Sequence, residues 1–156
     1  MATTHHVVPV CNWFIARADR EGELLTILKL QAFVYIANGW HLHEFKIPLI
    51  DSIIQAPEIG PHIPEILDEY SIWGGTGRVH VSGPEMPDDP ESISLMENVW
   101  NAYKPKTTLE LAGIVMGPSS AWKTALLSGS ATIEPSHLLE YYENYERMRS
   151  QLSVGA

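Results

Sequence analysis

Leu25-Thr26-Ile27-Leu28-Lys29-Leu30-Gln31-Ala32-Phe33-Val34-Tyr35-Ile36-Ala37-Asn38-Gly39-Trp40-His41-Leu42 is the stretch that decides the fold of this chain. Thr26 carries a side-chain oxygen suited to capping a helix, and the spacing behind it predicts a helix from Ile27 to about Phe45. Leu30, Val34, Ala37 and His41 fall on one stripe of that helix, and Leu28, Tyr35 and Leu42 on another. A helix that is apolar over so wide an arc must be covered on several sides, so it is expected at the centre of a helical domain.

Helical periodicity continues on both sides. Upstream, Val7, Cys11, Phe14, Ile15 and Ala18 recur at three- and four-residue spacing, predicting a helix over about Val8 to Arg20 that Gly22 ends. Downstream, a helix is expected from about Glu91 through Ile93, Met96, Val99, Trp100 and Tyr103, stopping near Lys104-Pro105. Thr107-Thr108-Leu109-Glu110 has the capping-box pattern and opens a helix through Leu111, Ile114 and Val115. Gly117-Pro118 closes it, and Ser119 is expected to cap a short helix carrying Trp122, Leu126 and Leu127. A last helix begins near Pro135 and carries Leu138, Leu139, Tyr142 and Tyr145 on one face.

The middle third is different. Pro48, Pro57, Pro61 and Pro64 interrupt helical continuity, and Ile50 to Gln55 reads as a short extended run. Pro64 suits the first turn of a short helix through Tyr70. Beyond it come Gly74-Gly75-Thr76-Gly77, a strand candidate at Arg78 to Ser82, and a Pro/Asp loop from Gly83 to Pro90. The expected fold class is therefore mainly α: a compact single domain of about six helices with a small irregular or β-containing middle segment.

At 156 residues, with 45% hydrophobic and 19% charged residues, the chain fits one folded domain. Ten Lys and Arg against 19 Asp and Glu give a formal charge of −9. That balance argues against direct nucleic-acid binding, which relies on clustered cations, and favours encounter with a basic protein. Cys11 is the one cysteine, so no internal disulfide forms, and its apolar neighbours make it a buried core thiol. Met1 to His6 lacks the pattern of a secretory signal, and no apolar run is long enough to span a bilayer. A cytoplasmic location with no membrane contact is expected.

The search for reaction chemistry finds little. His41 and His43 are two apart, so a helix points them in nearly opposite directions and they chelate poorly. Gly74 to Arg78 lacks both the Gly-Lys-Ser/Thr of a phosphate loop and the strand-to-helix context of a dinucleotide loop. Asp68-Glu69 and Asp88-Asp89 read as solvated neighbouring acids, and no Gly-x-Ser-x-Gly elbow occurs. No catalytic residue, cofactor site or metal site is assigned. Trp13, Trp40, Trp100 and Trp122 sit in apolar helical patterns and are read first as core. Trp73, beside the glycine turn, is a candidate exposed anchor.

Two segments together carry a resemblance to a known family. Residues 25–42 are similar to the LT-x-x-KLQK-x-x-YYA-x-GWHL signature of the SocA-like antitoxin domain, also called the Panacea domain or phage-associated GepA-like family. Ile54-Gln55-Ala56-Pro57-Glu58-Ile59-Gly60-Pro61-His62-Ile63-Pro64 resembles that family's I-x-AW-x-YGPV-x-P segment. Asn12-Trp13-Phe14-Ile15 resembles its first helix, and Leu109 through Trp122 its L-x-x-L(T/S)H-x-x-x-x-PW region. On this resemblance, residues 1–7 are a flexible N-terminus, 8–150 the SocA-like helical domain and 151–156 a C-terminal tail.

The resemblance implies an antitoxin that neutralises a protein toxin encoded nearby by direct complex formation, with delivery to a cellular protease as an adaptor role. It implies no cofactor. Lys29, Gln31, Tyr35, Gly39, Trp40, Gly60, Pro61 and Pro64 match the motif position by position; Glu58, His62, Trp73 and Trp122 complete the candidate partner-binding set. Lys29 and Gln31 are polar groups on an apolar helix, suited to holding the proline-rich loop or to meeting a partner, with the first favoured because buried polar groups seek partners. Pro57-Glu58-Ile59 replaces the usual Trp, Lys and Tyr, Ala32 the usual lysine, and Met116 a common histidine. These departures leave open a phage-borne or secreted effector that binds a host protein. A cryptic enzyme using Glu58, His62 or His41 ranks last.

Overall fold

A computed structural model describes residues 1–71 and 77–155, with side chains through Met148. Seven helices are found among the described residues: α1 Val7–Glu21, α2 Ile27–Phe45, α3 Pro64–Tyr70, α4 Pro90–Tyr103, α5 Thr108–Val115, α6 Ala121–Leu127 and α7 Pro135–Gly155. The mainly α fold is as expected, and each of the seven helices falls where the sequence places a helical segment. No helix among the described residues is long and apolar enough to cross a membrane.

The central position of α2 follows from its sequence. It packs against α1, α3, α4, α5 and α7. From Phe33 to Gly39 every residue is buried, which no one-sided amphipathic helix would allow. Phe14 of α1, Phe33 of α2 and Trp100 of α4 form a ring-to-ring spine, with centroids 5.5 and 5.1 Å apart. Gly39 lets α7 approach: a Cβ there would lie 2.3 Å from the ring of Tyr142.

Local capping signals set most boundaries. Thr26 accepts from the Lys29 N–H, and Thr107 with Glu110 completes the capping box. Gly22 takes the left-handed conformation (φ 71°) that ends α1. Pro64 sits in the first turn of α3. α6 is capped by Ser120 rather than Ser119. The Ser120 N–H donates to Gly117 O at 3.1 Å, so the Gly117-Pro118 turn consumes Ser119 and delays the helix by one residue.

Carboxamides on the helices organise the irregular segments. Asn38 is buried, and its Oδ1 accepts from the N–H groups of Leu49 and Ile50 at 2.9 and 3.1 Å. Asn12 uses its whole amide: Oδ1 accepts from Ser82 N–H and the Tyr70 hydroxyl, and Nδ2 donates to Ser82 O and Glu85 O. This explains why Arg78 to Ser82 is not a strand. Its backbone groups go to Asn12 and, through Val79 N–H, to Leu25 O, so no ladder forms there among the described residues. The extended run after Ile50 appears as isolated bridges, Gln55 pairing with both His62 and Thr132.

Residues 1–6 run beside the 48–51 segment: His5 N–H donates to Leu49 O at 2.7 Å, Asp51 N–H donates to His5 O at 3.0 Å, and Ala2 is buried. At the other end α7 continues through Gly155.

Candidate functional site

The α2 surface that carries Leu28, Lys29, Ala32 and Tyr35 forms one wall of an open groove of about 370 Å³. The Ile59–His62 loop forms the facing wall, Leu67 of α3 closes one side, and Leu111, Val115 and Met116 line the other. The lining is mostly apolar, with Lys29 and His62 as its titratable members besides the tyrosine. Leu28 and Ile59 are 62% and 83% exposed, so apolar surface continues from the groove onto its rim.

The loop wall is fixed from three directions. Gln55 and His62 exchange two backbone hydrogen bonds at 2.7 and 3.0 Å, closing the base. Gln31 reaches from α2, its Nε2 donating to Ile63 O at 3.1 Å and its Oε1 accepting from Ile63 N–H at 3.0 Å. The Trp122 indole N–H donates to Pro57 O at 2.7 Å. Within the loop, Gly60 has φ 111° and its N–H donates to Pro57 O at 3.1 Å. The positive φ favours glycine here, and a Cβ on Gly60 would lie 2.8 Å from Met116 Sδ, so the flexible methionine side chain would have to move aside.

The motif residues therefore divide by role. Lys29, Gln31, Tyr35, Gly60, Pro61 and His62 come together at the groove. Gln31 holds the loop. Lys29, partly buried, makes no ion pair among the described residues. Tyr35 is buried, and burial followed by the nearby Tyr141 raises its hydroxyl well above the ordinary tyrosine range. Glu58 is exposed and outside the lining, and Pro64 belongs to α3. Trp122 lies buried beneath the loop rather than in the groove. Trp40 packs further along α2 against Tyr142 and Tyr145 of α7. Trp73 lies outside the described residues. Met116, standing where the resembled family often has histidine, packs against Gly60.

His41, His62 and Glu58 are not brought to one pocket. The fully buried His41 donates through Nδ1 to Ile47 O at 2.8 Å, which leaves Nε2 to accept from the buried Ser92 hydroxyl at 2.8 Å. Burial holds this imidazole below the usual histidine range. Beside it, Asp89 caps α4 and accepts from Ser92 N–H, Thr3 and His5. Burial opposes ionisation of Asp89, but those hydrogen bonds together outweigh it and bring the carboxyl down to about 2. His5, Asp88 and Asp89 bring possible ligand atoms within 4.8 Å of one another, but the Asp89 oxygens already serve the cap, Thr3 and His5. Sequence reading missed this polar network because its long-range pairs, His41–Ser92, His5–Asp89 and Thr3–Asp89, are separated by 51, 84 and 86 positions. The one local signal was Asp89-Pro90, a cap followed by a first-turn proline.

No family model, curated protein or solved structure matches the chain.

Proposed function

We propose that this chain is a protein-binding antitoxin whose groove between α2, the 57–62 loop and α5 receives an apolar segment of a toxin encoded beside it. One observation carries the reading. Lys29, Gln31, Tyr35, Gly60, Pro61 and His62 line one open apolar groove, and Gln31 is spent on holding its loop. A rigid groove with apolar rims suits an amphipathic helix or extended segment, whose apolar anchors gain by leaving water. The formal charge of −9 speeds approach of a basic partner without fixing its orientation.

The experiment is co-expression with the adjacent open reading frame. The neighbour is toxic alone, is neutralised by this chain, and co-purifies with it. Leu28→Glu and Ile59→Glu, both at exposed positions, abolish neutralisation and co-purification while leaving the melting temperature within a few degrees. A harmless neighbour with no complex, or neutralisation that survives both substitutions, overturns the proposal.

A further inference from the structure

A second hollow lies further along α2. Trp40 and Glu44 are one helical turn apart and face the same way, and both line a depression of about 400 Å³. Leu95, Val99 and Ala102 of α4 provide its apolar floor, while Tyr103 and Tyr145 complete its walls. The Trp40 and Tyr145 rings stand nearly perpendicular, at 85° with centroids 5.6 Å apart, and the Trp40 indole N–H reaches the Tyr103 hydroxyl at 3.4 Å. Tyr145 remains 43% exposed. Glu44 is exposed and makes no ion pair among the described residues. Lys106 lines an adjoining hollow but not this one.

We infer that this hollow binds an arginine side chain presented by a partner protein. The chemistry follows from the walls. Aromatic faces attract a cation through their quadrupoles, and a planar guanidinium also stacks on them. Glu44 supplies a carboxylate that accepts two parallel N–H bonds from the same group. The apolar floor takes the arginine methylenes. A chain of net charge −9 draws such a partner in, and Glu44 gives the encounter a fixed docking point. The site is separate from the groove and does not depend on its occupant.

The test titrates the intact chain with tri-arginine amide and with tri-citrulline amide, which has nearly the same shape but no charge. The readout is the Trp40 indole resonance, assigned through Trp40→Phe. The arginine peptide shifts this resonance saturably, and the citrulline peptide leaves it in place. Glu44→Gln weakens binding about three- to fivefold, the upper range for an exposed ion pair. Glu23→Gln, which removes the same charge near the other end of α2, changes it by less than twofold. An absent shift, an equal response to both peptides, or equal weakening by the two substitutions overturns the assignment.

Discussion

Removing the Gln31 carboxamide tests whether one side chain holds the groove wall in place. In Gln31→Ala both hydrogen bonds to Ile63 vanish, and they were made to a residue that is fully buried. Each is worth about 1 kcal/mol net, and leaving the buried N–H and C=O without partners adds to that. Alanine returns only a few tenths of a kcal/mol through helix propensity. The expected cost is about 3 kcal/mol, or a Tm about 6–12 °C lower for a chain of this size. Urea unfolding measures the total, and hydrogen exchange at the Ile63 and His62 amides locates it. Gln31→Glu sharpens the test because its carboxylate accepts from Ile63 N–H but cannot donate to Ile63 O. Its deficit relative to the parent chain narrows in acid, where a protonated carboxyl regains the donor. A cost for Gln31→Ala below about 0.5 kcal/mol, or a glutamate deficit that does not change with pH, refutes the reasoning.

Three further outcomes follow from the packing and the polar network. Gly39→Ala drives a Cβ into a Tyr142 ring already packed against Trp40 and Tyr141, and costs about 2–3 kcal/mol by thermal unfolding despite the better helix propensity of alanine. Asp89 ionises at about 2 when folded and near 3.8 when unfolded, so its contribution is complete above pH ~5 and is lost progressively as the pH falls through 2. That contribution is about 2 kcal/mol, and Asp89→Asn removes this limb of the acid-unfolding profile. Cys11 is fully buried and its thiol is pushed upward by burial, so a maleimide labels it only when the chain unfolds. Rapid labelling of the native chain would contradict that placement.

The elements that sequence made legible are those whose cause is local. Thr26, Thr107 with Glu110, Gly22 and Pro64 each act within four residues of themselves, and each stands where its chemistry places it. The wide apolar surface of Ile27–Phe45 announced a central helix because burial on all sides leaves no polar stripe. The Ser119 to Ser120 shift shows the limit, since two adjacent serines offer the same cap and only the preceding turn decides between them. Half of the candidate site was readable in the same way. Gly60-Pro61 demanded a reversal near the helix, but the contribution of α5 and the anchoring of Pro57 by Trp122 depend on contacts more than 45 residues apart. Trp40 and Trp122, named together as candidates, turn out to serve different faces. Nothing within the N-terminal segment shows that Leu49, Asp51 and Asp89 wait to pair with it.

Asn12, Asn38 and Gln31 grip main chain, and a peptide group looks the same whichever side chain it carries. The half-buried to exposed 82–85 segment can therefore exchange its outward residues while α1 goes on dictating its path, whereas Leu49, Ile50 and Ile63 are themselves core. Between the grips at Gln55 and Ile63, the loop carrying Pro57-Glu58-Ile59 is likewise held by its main chain, so the exposed side chains of Glu58 and Ile59 are lettering on a frame that does not depend on them.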